Sequence, residues 1–148
     1  MARYIVAVVG RPNVGKSTLV NRIAGTKEAI VHEMRGVTRD RSYHNADWNG
    51  VHFTLIDTGG IEAGNDDAFQ QSIRMQAVEA AHESDVVVFV VDSTTGVTSD
   101  DQDAARIIQR AGVPVILAVN KVENSERANA MYEFYQLGLG EPMPISAL

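Results

Sequence analysis

The chain has 148 residues, enough for one domain, and its hydrophobic content of 45% falls in runs that can build a packed core, which argues against disorder. A formal net charge of −6 excludes strong bulk attraction to phosphate backbones, so any nucleic-acid contact must be local or supplied by another domain. The absence of cysteine excludes disulfides and thiolate metal sites and fits a reducing cytosol, and no apolar stretch reaches the length of a bilayer span.

The N-terminal run YIVAVVG (4–10) is β-branched and ends on glycine, which predicts a buried strand; no small-residue cleavage site marks it as a signal peptide. Residues 15–25 read as a helix with Leu19, Val20 and Ile23 on one side and Gly25 as its stop. Residues 26–40 lack periodicity and read as a loop. Residues 41–57 split at Asn49-Gly50, a strong hairpin signal, so one antiparallel strand pair is expected. Gly59, Gly60 and Gly64 mark a loop before an amphipathic helix over 67–82. DVVVFVVD (85–92) is apolar on both faces, as a central parallel strand requires. Ser99 with Gln102 suggests a capping box, opening a helix striped by Ala104, Ile107, Ile108 and Ala111. VPVILAVN (113–120) is a further buried strand. Ala128, Met131, Tyr132 and Tyr135 predict the stripe of another helix, and MPISAL (143–148) a last strand. Alternating strands and helices imply a mostly parallel, three-layer α/β domain. Ending without a covering helix suggests a fragment, because one sheet face would lack its last cover.

The stretch GRPNVGKS (10–17) fits G-x-x-x-x-G-K-S/T between a predicted strand and a predicted helix. Gly10 and Gly15 let the backbone wrap a phosphate so that several N–H groups converge, and the helix N-terminus adds positive partial charge. Lys16 would bridge β- and γ-phosphates, and the Ser17 hydroxyl would ligate Mg²⁺. Gly10, Arg11, Pro12, Asn13, Val14, Gly15, Lys16, Ser17 and Thr18 are therefore the candidate phosphate-binding residues; the bland alternative is an ordinary glycine-rich turn. DTGG (57–60) follows a buried strand, where Asp57 can hold Mg²⁺ through water and the Gly60 N–H can meet a γ-phosphate. In GVTRD (36–40), Thr38 offers a second hydroxyl ligand for Mg²⁺, with plain loop as the competing reading.

NKVENSE (120–126) reads as a guanine clamp. Asn120 can bond the purine edge and brace the phosphate loop, and the Lys121 stem can lie over the base. Glu123 stands where such clamps usually carry Asp; its carboxylate can accept from guanine N1–H and N2–H₂, a pairing adenine does not offer. A solvated acidic helix start is the competing reading of the same stretch. Ser146 and Ala147 lie in ISA, where the Ala147 N–H can bond guanine O6, and this favours guanine.

Together GRPNVGKSTLVNRI, GVTRDR, LIDTGGIE, NKVE and FYQLGLGEPMPISA resemble, over essentially the whole chain, the first GTPase domain of the EngA (Der) family. These are bacterial tandem GTPases of the TrmE-Era-EngA class, involved in assembly of the large ribosomal subunit. The resemblance implies a Ras-like G domain of the P-loop NTPase class, with a six-stranded, mostly parallel sheet and one antiparallel, hairpin-linked edge strand. It implies that residues 1–148 are a single G domain, a fragment of a longer cytoplasmic protein. A second G domain and a KH-like domain in cis would contact the large ribosomal subunit or rRNA, and the closing helix after Ala147 is lacking.

Carried over by motif, residues 10–17 bind the phosphates of GTP or GDP. Ser17, Thr38 and Asp57 hold Mg²⁺, and Asn120, Lys121 and Glu123 read guanine with Ser146 and Ala147 behind them. Lys16, Thr38, Asn13 and Gly60 become the candidate catalytic residues. Ras-type GTPases place a Gln where this chain has Ile61, and an apolar side chain cannot orient the attacking water. Relatives with Asn in the phosphate loop use K⁺ beside the phosphates, and Asn13 matches that position.

Three functions compete. The first is Mg²⁺-dependent GTP hydrolysis, slow alone and stimulated by K⁺. The second is a GTP-gated binding module with little intrinsic hydrolysis, toward which Ile61 shifts weight. The third, a small-molecule kinase or ATPase, leaves NKVE and ISA unexplained. His32, His44, His52 and His82 lack metal-ligand spacing, and Arg35, Arg39 and Arg41 form a local basic cluster that suits rRNA, a companion domain or solvent.

Overall fold

The β-branched runs form a sheet and the amphipathic segments cover it. The computed structural model describes residues 4–11, 14–24, 41–48, 50–58, 73–121 and 130–145. In chain order these hold β1 (Tyr4–Gly10), α1 (Lys16–Ala24), β2 (Arg41–Trp48), β3 (Val51–Thr58), α2 (Ile73–Glu83), β4 (Val86–Asp92), α3 (Ser99–Ala111), β5 (Val115–Asn120), a 3₁₀ helix (Ala130–Leu137) and β6 (Met143–Pro144). The six strands lie in the order β2-β3-β1-β4-β5-β6. Only β2 runs antiparallel, paired with β3 across the hairpin at Gly50, so the expected fold class is borne out.

Alternation along the strands divides the core into two layers. Ala7, Val9, Val87, Phe89, Val91, Leu117 and Val119 point to the face covered by α2, α3 and the 3₁₀ helix. Val8, Leu55 and Val90 point to the opposite face, where Val14 and Val20 meet them. Leu19 and Ile23 pack against this second cluster, as the helical stripe predicts. Register follows from burial, because a slip of one residue would exchange the two faces. β1 pairs with β3 on one side and β4 on the other, so the chain reverses direction across the sheet at β1. Ligands of open α/β sheets bind at such a switch point, outside the carboxyl ends of the strands.

Several element-level expectations are corrected. The capping box lies one residue earlier than Ser99 and Gln102: Thr98 is the N-cap, and its side chain accepts from the Asp101 N–H while Asp101 accepts from the Thr98 N–H. The helix buries Asp101, Ala104, Ala105 and Ile108, so Ala111 is exposed rather than on the stripe. The segment expected to be striped by tyrosines is a 3₁₀ helix that buries Phe134 and Leu137 instead. Tyr132 and Tyr135 are 68% and 49% exposed and stack on each other with centroids 6.3 Å apart. Residues i and i+3 of a 3₁₀ helix lie in one row, so Phe134 with Leu137 and Tyr132 with Tyr135 form two rows, and the core takes the first.

Candidate functional site

β1 ends on Gly10 because no side chain fits there: a Cβ would stand 2.9 Å from the Val90 carbonyl oxygen and 3.0 Å from Val14 Cγ2. The turn then delivers Lys16 at the start of α1, 7% exposed. Its ammonium lies 3.3 Å from Asp57 Oδ1 and donates to Gln76 Oε1 at 3.1 Å. Sheet register explains the first contact, since Val8 of β1 pairs with Asp57 of β3 and places the carboxylate at the level of the phosphate loop. Gln76 Oε1 also accepts from the Gly10 N–H at 3.1 Å.

The base-reading candidates start at the end of β5. Asn120 is buried, and its Nδ2 donates to the Val14 carbonyl at 2.9 Å, tying β5 to the phosphate loop. Gly15 adopts φ 93°, and a Cβ there would fall 1.9 Å from Asn120 Nδ2, so this position requires glycine twice over. Lys121 has φ 67°, the only positive value of a non-glycine among the described residues. Three contacts accompany that turn: Ser93 Oγ donates to the Lys121 carbonyl at 3.0 Å, the Ser93 N–H donates to the Asn120 carbonyl at 3.0 Å, and Lys121 Nζ meets Asp92 Oδ2 at 2.7 Å. Burial pushes the Asp92 carboxyl up, but hydrogen bonds from Lys121 and Thr94 and the Lys121 charge outweigh it, and the group sits below its ordinary value.

Ser17 and Thr18 occupy the first turn of α1, Ser17 half-buried and Thr18 exposed. Ser17 therefore adjoins Lys16, whose ammonium touches Asp57. A hydroxyl and a buried carboxylate are the hard oxygen donors that Mg²⁺ takes, and Mg²⁺ bound with phosphate needs no larger protein cage. Among the described residues no group of three His, Cys, Asp or Glu could hold a metal ion. Pro12, Asn13, Thr38, Gly60, Ile61, Glu123, Ser146 and Ala147 lie outside the described residues. Ile145, just before Ser146, donates its N–H to the Val119 carbonyl at 2.9 Å beside the end of β5.

Three features were not legible in the motifs. Gln76 on α2 reaches the phosphate loop; a polar residue phased with Ile73, Ala77 and Ala80 was the available signal. The Arg11 side chain turns to α3, with Nε 3.0 Å from Asp101 Oδ1 and Nη2 3.1 Å from Thr95 Oγ1. The Arg11 guanidinium is thus held by α3 and the turn before it. His44 is buried on β2; burial lowers its pKa from the ordinary 6.5, against the pull of Asp57.

Residues 5–121 match the family model described as 50S ribosome-binding GTPase. The chain is 54% identical over 147 residues to GTPase Der of Moorella thermoacetica, which covers 99% of this chain and 34% of that protein. It is 56% identical over 148 residues to GTPase Der of Limosilactobacillus reuteri, covering 100% of this chain and 34% of the relative. The chain thus spans about a third of the length of the curated relatives it matches. Among solved structures, Aquifex aeolicus Era bound to GDP and AlF₄⁻ superposes with a TM-score of 0.73 at 32% identity, over 100% of this chain and 52% of Era. Era in complex with MgGDPNP and nucleotides 1506–1542 of 16S ribosomal RNA gives the same values. The matched residues run from β1 through Lys121 and so include the phosphate loop, Asp57 and Asn120, and the chain belongs to the 50S ribosome-binding GTPase family, with a fold like Era and a sequence like part of GTPase Der.

Proposed function

We propose that this chain is a G domain that binds GTP and GDP with Mg²⁺, hydrolyses GTP, and serves in the cytoplasm in assembly of the large ribosomal subunit. The observation that carries the reading is the junction of Asn120 with Val14 at 2.9 Å, which joins the base-reading end of β5 to the phosphate loop. One nucleotide can then touch Lys16 at its phosphates and the residues after Asn120 at its base. When bound, Mg²⁺ supplies charge neutralisation across the β- and γ-phosphates, and Ser17 and Asp57 would hold it with Thr38. Lys16 places a cation at the bridging position, and the buried surroundings of its ammonium strengthen that attraction. Ile61 gives no group to orient water, so hydrolysis by the chain is slow and draws on K⁺ beside Asn13.

Guanine selection rests on Glu123 and Ala147. Displacement of a fluorescent GDP analogue by GDP, ATP, IDP and XDP tests it. GDP is expected to compete best, IDP less well because it lacks the N2 amino group, and ATP and XDP far less; equal competition by ATP would remove the guanine reading. In the same assay Glu123→Ala is expected to weaken GDP by about 1–3 kcal/mol, the cost of leaving buried polar groups without partners. The GTP-gated module is favoured instead by Ile61, and single-turnover hydrolysis separates the two: no phosphate release with nucleotide bound selects the module.

A further inference from the structure

α2 turns Ile73, Gln76, Ala77 and Ala80 inward, a spacing of i, i+3, i+4 and i+7. Three of these are apolar, and Gln76 is the exception, at 1% exposure. A long amide in a core position gives up rotamer freedom and hydration, so it is tolerated only where its polar atoms are met. Gln76 Oε1 meets the Gly10 N–H and the Lys16 ammonium, both at 3.1 Å, although these residues are 66 and 60 positions away in the chain. One atom of α2 thus holds the last residue of β1 and the first residue of α1, the two ends of the phosphate-binding turn.

We propose that Gln76 is a positioning residue for phosphate binding, which aims the Lys16 ammonium and fixes the Gly10 amide; this rests on the nucleotide reading above. A lysine ammonium rides on a flexible four-carbon stem, and a hydrogen bond to Gln76 on α2 and an ion pair with Asp57 on β3 restrict it. Restriction before binding lowers the entropic cost of meeting a phosphate oxygen. The neutral amide matters: it orients the ammonium without cancelling the charge that attracts phosphate. A second carboxylate beside Asp57 would orient it equally well and repel the ligand.

The test compares GDP with GMP by calorimetry on the chain and on Gln76→Met and Gln76→Glu, with thermal unfolding alongside. GMP lacks the β-phosphate that Lys16 addresses, so the ratio of the two affinities separates positioning from general damage to the fold. Gln76→Met is expected to lose about tenfold in GDP affinity relative to GMP, the size of one oriented charged contact. Gln76→Glu keeps the Oε1 acceptor but buries a second carboxylate beside Asp57, so it is expected to unfold somewhat earlier than the original chain and to lose more GDP affinity than the methionine variant. An unchanged GDP-to-GMP ratio in Gln76→Glu overturns the inference, also where the methionine variant does not fold. Equal loss for both nucleotides in a folded Gln76→Met overturns it too. In both cases the original chain still binds GDP; if that chain itself does not, the nucleotide reading fails first.

Discussion

Gly15 is the residue at which backbone and side-chain demands coincide. Its φ of 93° suits glycine, and the space a Cβ would take is filled by the Asn120 amide. Gly15→Ala must either flatten the turn or expel Asn120, which ends the bond to Val14. A cost of about 1–3 kcal/mol in stability is expected from the strained backbone, with at least a tenfold loss of GDP affinity; denaturant unfolding and calorimetry read the two separately. Undiminished GDP binding would mean that the Asn120 brace has no part in nucleotide capture. Asp92 makes a prediction in pH. Its folded pKa is depressed, so the unfolded chain takes the proton first as pH falls, and the contribution of Asp92 is present above the ordinary 3.8 and lost as pH drops through the folded value. Asp92→Asn is expected to be less stable near neutral pH by about 1–3 kcal/mol and to lose less on acidification below 3.8. Parallel curves for the two proteins would show that the Lys121 contact contributes nothing to folding.

At the scale of elements, α3 acts as a mount for the phosphate loop. Its first turn is fixed by the Thr98–Asp101 box, and the Asp101 carboxylate, which caps with Oδ2, uses Oδ1 to hold Arg11. Asp101 is 0% exposed, so its charge is tolerated because both oxygens are engaged. Thr98→Ala is expected to cost about 1 kcal/mol by urea unfolding, the usual worth of an N-cap, whereas Ser99→Ala should stay within about 0.5 kcal/mol. The reverse ranking would return the cap to Ser99. α2 is tied to the same loop through Gln76, so two helices on one face of the sheet grip the turn that α1 leaves on the other.

At the scale of the whole molecule, the site exists because β1 stands between β3 and β4 while the helices leave to opposite faces. Gly10 and Asn120 end β1 and β5, Asp57 stands one residue before the end of β3, and parallel register brings these positions to one rim of the sheet. The proposed K⁺ requirement belongs to this scale, since it concerns turnover by the assembled site. GTP hydrolysis is expected to be several-fold faster in KCl than in NaCl at equal ionic strength, as a cation stands in for the charge that an arginine finger would bring. Equal rates would leave Asn13 as an ordinary loop residue.

The sequence by itself determined the strands and the identity of the phosphate loop. β-branched runs bounded by glycine leave little choice of local structure, and Gly10, Gly15, Lys16 and Ser17 stand at a spacing that one turn imposes. The hairpin before Gly50 was legible for the same local reason. Only the tertiary structure decided what Gln76, Arg11 and Asp92 do, because their partners arrive from 60 residues or more away for Gln76, 90 for the Arg11–Asp101 pair and 29 for Asp92 with Lys121. It also decided which face of α3 is buried and the exposure of Tyr132 and Tyr135, since packing against the sheet selects the face. Local periodicity is set by backbone geometry and can be read along the chain; a polar atom's partner is set by packing, and becomes known only when the layers meet.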